Sequence, residues 1–178
     1  MRCSYFLFVL VVLIGFASCK PKLTDEVVML RAALKEAWQK SEEYTLIIAD
    51  QMPAEYYSFR ATDSIMTYAE QWRHCAIYTC GQLAGRFDLE NPYAKTKPVV
   101  DLPKDSVLAH LRKMYAFVNH TIETVPDEKL MGLVDFSKGQ IPGWRLFYAM
   151  ENHIIHHRGQ CIIYLRLKGI KPKGYYGW

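Results

Sequence analysis

The run from Trp144 to Lys168 constrains the fold most. Leu146, Met150, His153, His157 and Tyr164 recur in it at helical spacing, with Gln160 beside them. Pro142 suits a first helical turn, and Gly169 followed by Pro172 ends the run. A helix of about 22 residues is roughly 33 Å long, a usual bundle height. Such a stripe needs partners of similar length to cover it.

Three further runs supply them. Thr24 to Asp50 carries Val27, Leu30, Leu34, Ala37, Ser41, Tyr44 and Ile48 on one face, and Pro53 marks its end. A second helix is expected from a cap at Asp63 or Ser64 to Gly85, with Ile65, Ala69, Trp72, Ala76 and Leu83 inward. Its other side, with Thr67, Glu70, Gln71, His74 and Tyr78, is too mixed for a core and too aromatic for plain solvent. That side reads as a pocket wall. A third helix spans Lys104 to Val125 through Val107, Leu111, Met114, Val118 and Thr121. Residues 87–103 hold three prolines and form a long crossover, which can join parallel neighbours. Residues 126–142 are irregular, with one short turn near Asp127 to Leu133. There is no strand alternation of useful length and no internal repeat. The expected class is all-α, a four-helix bundle.

Composition narrows the function classes. The chain has 178 residues, 51% hydrophobic and 22% charged, which is globular composition. Its net charge of +4 is spread thinly, which argues against a nucleic-acid footprint. Residues 1–18 read as a signal peptide, a positive start followed by an apolar run too short for a comfortable span. Phe16-Ala-Ser-Cys19 resembles the lipobox of bacterial lipoproteins, although Phe16 stands where Leu is usual. Lipidation at Cys19 would hold a domain of residues 24–178 on a bacterial membrane, exported and facing the periplasm. Cys75, Cys80 and Cys161 then remain, and they read as small buried hydrophobes rather than a disulfide.

His153 and His157 share one helical face, and both sit on its apolar stripe, where an unpaired imidazole is costly. Two imidazoles at that spacing can close on one metal ion. His74, on the polar side of helix two, is the candidate third ligand. Three histidines leave a coordination position open, the pattern of a catalytic site. Spacing does not choose among zinc, nickel, cobalt, iron and manganese. Such an ion would lower the pKa of a bound water or take a thiol as thiolate. Protonation removes an imidazole's lone pair, so affinity is expected to fall below about pH 6. His156 points a quarter turn away, His110 borders the core of helix three, and His120 faces solvent. Gly159 is expected where a neighbour approaches closely. Arg158 reads as surface or as an interfacial ion pair.

The segment from His153 to Pro172, His-Ile-Ile-His-His-Arg-Gly-Gln-Cys-Ile-Ile-Tyr-Leu-Arg-Leu-Lys-Gly-Ile-Lys-Pro, resembles the C-terminal signature of the DinB-like family. Met52 to Arg60 and Tyr68 to His74 resemble its second-helix region, so the likeness covers roughly residues 24–173. The resemblance implies an up-down-down-up bundle and a divalent metal held by His74, His153 and His157. It also implies kinship with transferases and isomerases that use low-molecular-weight thiols.

Two functions follow as expectations. One is a metal-dependent enzyme of thiol-transferase or hydrolase type, acting on a small molecule such as a thiol. Glu70, Tyr78, Gln160 and Tyr164 would then line its pocket, with no general base assigned. The alternative is a non-catalytic exported lipoprotein that binds a metal or ligand. The aromatic tail Gly174 to Trp178 is expected to pack on the domain or on a second copy in a homodimer.

Overall fold

The computed structural model describes residues 23–95, 102–175 and 177. The expected signal segment and Cys19 lie outside them. Four long helices are present: α1 (Leu23–Gln51), α2 (Tyr68–Phe87), α3 (Lys104–Thr124) and α5 (Gly143–Leu167). A short α4 (Asp127–Met131) and a hairpin of β1 (Leu133–Phe136) and β2 (Gly139–Pro142) join α3 to α5.

Cross-links fix the directions. Tyr68 at the start of α2 donates its hydroxyl to Ile48 O near the end of α1, at 2.6 Å. Lys104 at the start of α3 pairs with Asp50 at 2.9 Å, so α2 and α3 both begin where α1 ends. The rings of Phe87 and Phe147 stack at 5.6 Å, so α5 begins where α2 ends. The order is therefore up-down-down-up. Both α1 and α2 pack beside α3 and α5. The crossover runs from 88 to 103 between the parallel neighbours α2 and α3.

The inward stripes are largely those expected. Val27, Leu34, Ile48, Trp72, Leu83, Leu111, Met114, Val118, Leu146 and Met150 are all buried, and Trp38 is buried where Ala37, which is half-buried, was expected. Burying a large aliphatic or aromatic side chain contributes about 1.5–3 kcal/mol, so these faces drive assembly. Cys75, Cys80 and Cys161 are buried free thiols. Burial pushes the Cys80 thiol up to about 12.

Several local expectations are corrected. Helix α2 is capped by Thr67, not by Asp63 or Ser64. The Thr67 hydroxyl accepts from Glu70 N at 3.2 Å, and the Glu70 carboxylate accepts from Thr67 N at 2.7 Å. This capping box satisfies two otherwise orphaned donors. The hairpin was not expected. Leu133 pairs with Pro142 and Phe136 with Gly139, around a two-residue turn in which Ser137 has φ 55°. Strands of four residues are too short to display alternation. The turn Ser137-Lys138 also lacks the Asn-Gly or Asp-Gly signal. Gly159 is exposed, and no heavy atom lies within 4 Å of where its Cβ would be, so no close approach explains it. Gly143 is the restricted one. A Cβ there would lie 2.2 Å from Lys129 O, because the start of α5 is pressed under α4.

Arg158 is not on the surface. It is 4% exposed, donates to Thr45 Oγ1 at 2.9 Å and pairs with Glu151 at 3.6 Å. Glu151 accepts from Ser41 Oγ at 2.6 Å, and Tyr115 Oη lies 2.9 Å from the same hydroxyl. A polar network thus joins α1, α3 and α5 inside the bundle. No described helix is long and apolar enough to cross a membrane. In the tail, Gln51 holds Lys173 N at 2.8 Å and Lys171 O at 3.3 Å, and Tyr175 is 90% exposed. Gly177 borders a groove between α1 and α5, while Tyr176 and Trp178 lie outside the described residues.

Candidate metal centre

Antiparallel packing of α2 on α5 brings the start of one beside the end of the other. His74 lies six residues after Tyr68, and His157 lies ten before Leu167. The His74 and His157 rings meet with centroids 4.8 Å apart, and His153 sits one turn along α5 from His157. Their ligand atoms lie within 4.8 Å of one another. His74 Nε2 is 3.1 Å from His153 Nε2, and His157 Nε2 is also 3.1 Å from His153 Nε2. The sequence-derived trio is therefore one cluster, and among the described residues it is the cluster of metal-binding side chains that forms.

The donor set fits a divalent cation. His153 Nε2 faces two ring nitrogens, and a single proton there can serve only one of them. Tetrahedral nitrogens about 2.05 Å from an ion would stand about 3.3 Å apart, close to these separations. Burial favours neutral rings. Desolvation, then the neighbouring His74 and His156, lower His153 to about 4. Desolvation, then His153, His74 and His156, lower His157 to about 4. Desolvation also lowers His74.

The surroundings match the expected pocket wall in part, since Tyr78 and Glu70 border the site. Tyr78 is a wall residue, with its ring centroid 4.4 Å from that of His153 and 5.6 Å from that of His74. Glu70 serves the α2 cap and holds its carboxyl below the usual range through the Thr67 backbone N–H. Gln160 and Tyr164 act through Gln71, which the sequence places on the polar side of helix two without a role. Gln71, 2% exposed, accepts from His157 Nδ1 and donates to Gln160 Oε1 at 2.9 Å. Its place three residues before His74 was visible; its partner, 89 positions away, was not. His156 is exposed and lies 2.9 Å from Gln160 Nε2, and His120 is exposed as expected.

A cavity of about 520 Å³ opens on the His74 side, lined among others by Arg60, Ile65, Met66, Glu70 and Arg73. A somewhat larger groove of about 600 Å³ lies between α1 and α5, against Leu34, Trp38, Tyr148 and Ile155. None of the three imidazoles lines it, so the smaller cavity is the one tied to the cluster.

The comparisons with known proteins agree on the fold. A DinB-like protein from Bacillus cereus ATCC 10987 superposes with a TM-score of 0.69 at 22% identity, over 80% of this chain and 95% of that one. A DinB-like protein from Bacillus subtilis superposes with a TM-score of 0.64 at 17% identity, over 81% and 97%. No curated protein matches the chain. The profile of the DinB family matches residues 27–178, and the chain belongs to that family.

Proposed function

We propose that His74, His153 and His157 hold one divalent metal ion with a position open to a small molecule. The chain is then a metal-dependent enzyme of thiol-transferase or hydrolase type. The observation that carries this reading is the meeting of three imidazole nitrogens, with His153 Nε2 3.1 Å from both of the others. Zinc and nickel suit such a neutral nitrogen set best, and cobalt, iron and manganese remain candidates. When bound, the ion supplies Lewis acidity toward a water or a thiol.

The chain's own residues do the rest. The three histidines stay neutral because they are desolvated. Tyr78 covers one side of His153 and His74. The cavity beside His74 offers space for a substrate. Of the nearby carboxylates, Glu70 is held in the helix cap and Glu151 by Ser41 and Arg158, while Asp63 lines the cavity. An ion could hold a thiol as thiolate or activate a water there. With no general base assigned, the second reading is a metal- or ligand-binding protein without catalysis.

Export is part of the proposal. The segment ending Phe16-Ala-Ser-Cys19 supports a lipid anchor at Cys19 and a periplasmic domain. Labelled palmitate should tag the protein, and labelling unchanged in Cys19→Ala would remove the anchor.

Elemental analysis of untagged protein tests the centre. Wild type should carry close to one divalent ion after reconstitution. His74→Ala, His153→Ala and His157→Ala should each lose most of it, and His120→Ala should not. Wild type without metal after reconstitution rejects the site.

A further inference from the structure

The lone pair that His157 offers is set by a backbone carbonyl it does not touch. Met66 O can only accept, and it takes the hydroxyl of Tyr164 at 2.8 Å. A hydroxyl has one hydrogen, so Tyr164 Oη is left as an acceptor toward its other neighbour. That neighbour is Gln71 Nε2, at 3.4 Å. The same amide nitrogen donates to Gln160 Oε1 at 2.9 Å. With its nitrogen turned to those two oxygens, Gln71 turns Oε1 to His157 Nδ1. An oxygen there requires Nδ1 to carry the proton. A neutral imidazole has only one, so Nε2 is bare and faces the other two rings.

The reversed amide has no such outlet. It would set Gln71 Oε1 against Tyr164 Oη, and the hydroxyl would have to leave Met66 O. It would also set an NH₂ group against His157 Nδ1, forcing the proton onto Nε2. Gln71 is 2% exposed, so solvent does not compensate either change. The other ligand on α5 has no equivalent, since His153 Nδ1 has no hydrogen-bond partner among the described residues. His157 is thus the one ligand on α5 whose tautomer the fold dictates.

We infer that Gln71, oriented by Tyr164 and the Met66 carbonyl, is a positioning residue that fixes His157 as the Nδ1–H tautomer and so prepares Nε2 for a metal ion. The consequence for metal rests on the proposed centre; the tautomer itself does not. Partners that orient a ligating histidine typically affect metal affinity by about 10- to 100-fold.

The test uses the full chain in detergent, metal-free and ¹⁵N-labelled, with Zn²⁺ as the probe. Histidine ¹⁵N shifts at pH 7.5 should show His157 protonated at Nδ1. Tyr164→Phe keeps a ring against Phe59, which packs on Tyr164 at 5.8 Å, so the fold should survive. It should mix the His157 tautomers and weaken Zn²⁺ binding about 10-fold or more, measured by competition with a chromogenic chelator. Gln71→Glu still accepts from Nδ1 and should retain both the tautomer and most of the affinity, whereas Gln71→Leu should lose both. Protonation of wild-type His157 at Nε2 overturns the inference, as does a Tyr164→Phe variant with unchanged tautomer and unchanged affinity. A wild type with the Nδ1–H form, scrambled in Tyr164→Phe, that binds no Zn²⁺ supports the tautomer lock and rejects the metal centre instead.

Discussion

Glu151 and Arg158 meet inside the bundle at 3.6 Å, two turns apart on α5, just outside the pair His153 and His157. Desolvation raises the Glu151 carboxyl, and Ser41 and Arg158 act against that rise. Removing one member of a buried pair leaves a charge without compensation, at a cost of about 3–5 kcal/mol. Arg158→Ala should therefore destabilise the chain by about that amount in urea denaturation. Replacing both by Leu should cost much less. Equal losses in the single and double variants would show that the pair is not coupled.

Removing bound metal should lower stability by mass action. An ion present at 100 times its dissociation constant contributes about 2.7 kcal/mol. For a domain of this size that is a fall of about 5–10 °C in Tm on adding a chelator. His153→Ala and His157→Ala should show almost no further fall. A chelator effect of equal size in those variants would place the ion elsewhere.

The metal-free protein should lose stability in mild acid. His153 and His157 titrate near 4 when folded, below the ordinary value of 6.5. Between those values the unfolded chain binds more protons than the folded one, so stability falls as pH falls from about 6.5 toward 4. Denaturation midpoints at pH 7, 5.5 and 4.5 measure this directly. Replacing both residues by Asn should flatten the dependence. The same depression means that protons compete less for the ligands, so metal should stay bound below the pH 6 expected of ordinary imidazoles.

Two glycines of α5 should respond oppositely to alanine. Gly159→Ala meets nothing within 4 Å and gains helix propensity, about 0.5–1 kcal/mol of stability. Gly143→Ala drives a Cβ into Lys129 O and Leu130 O, a loss of about 1–3 kcal/mol. Thermal melts of the two variants check both signs.

The four long helices were legible because an apolar stripe at helical spacing has one good use. His153 and His157 were legible for a related reason: polar rings on an apolar stripe demand a partner, while His74 stood out on the polar side of its own helix. The hairpin escaped because four residues cannot display a period. Arg158 and Glu151 escaped because a charge off the main stripe is normally solvated. Here Ser41, Thr45 and Tyr115 on two other helices accommodate them. Thr67 and Glu70 did carry the pattern of a capping box, but Asp63 and Ser64 offered an earlier start. Gln71 needed Tyr164 and Gln160 beside it before its amide had a direction.

The up-down-down-up course also sets how high the imidazoles stand. Helices α1 and α5 begin at the same pole, and His153 and His157 lie ten and fourteen residues along α5 from Gly143. At 1.5 Å per residue they are about 15–21 Å above that pole. Only three residues separate Cys19 from Leu23. Under the proposed lipid anchor the chain would stand on its first pole like a short post. Its histidines would open well clear of the headgroups, and they would draw their substrate from the aqueous phase rather than from the bilayer.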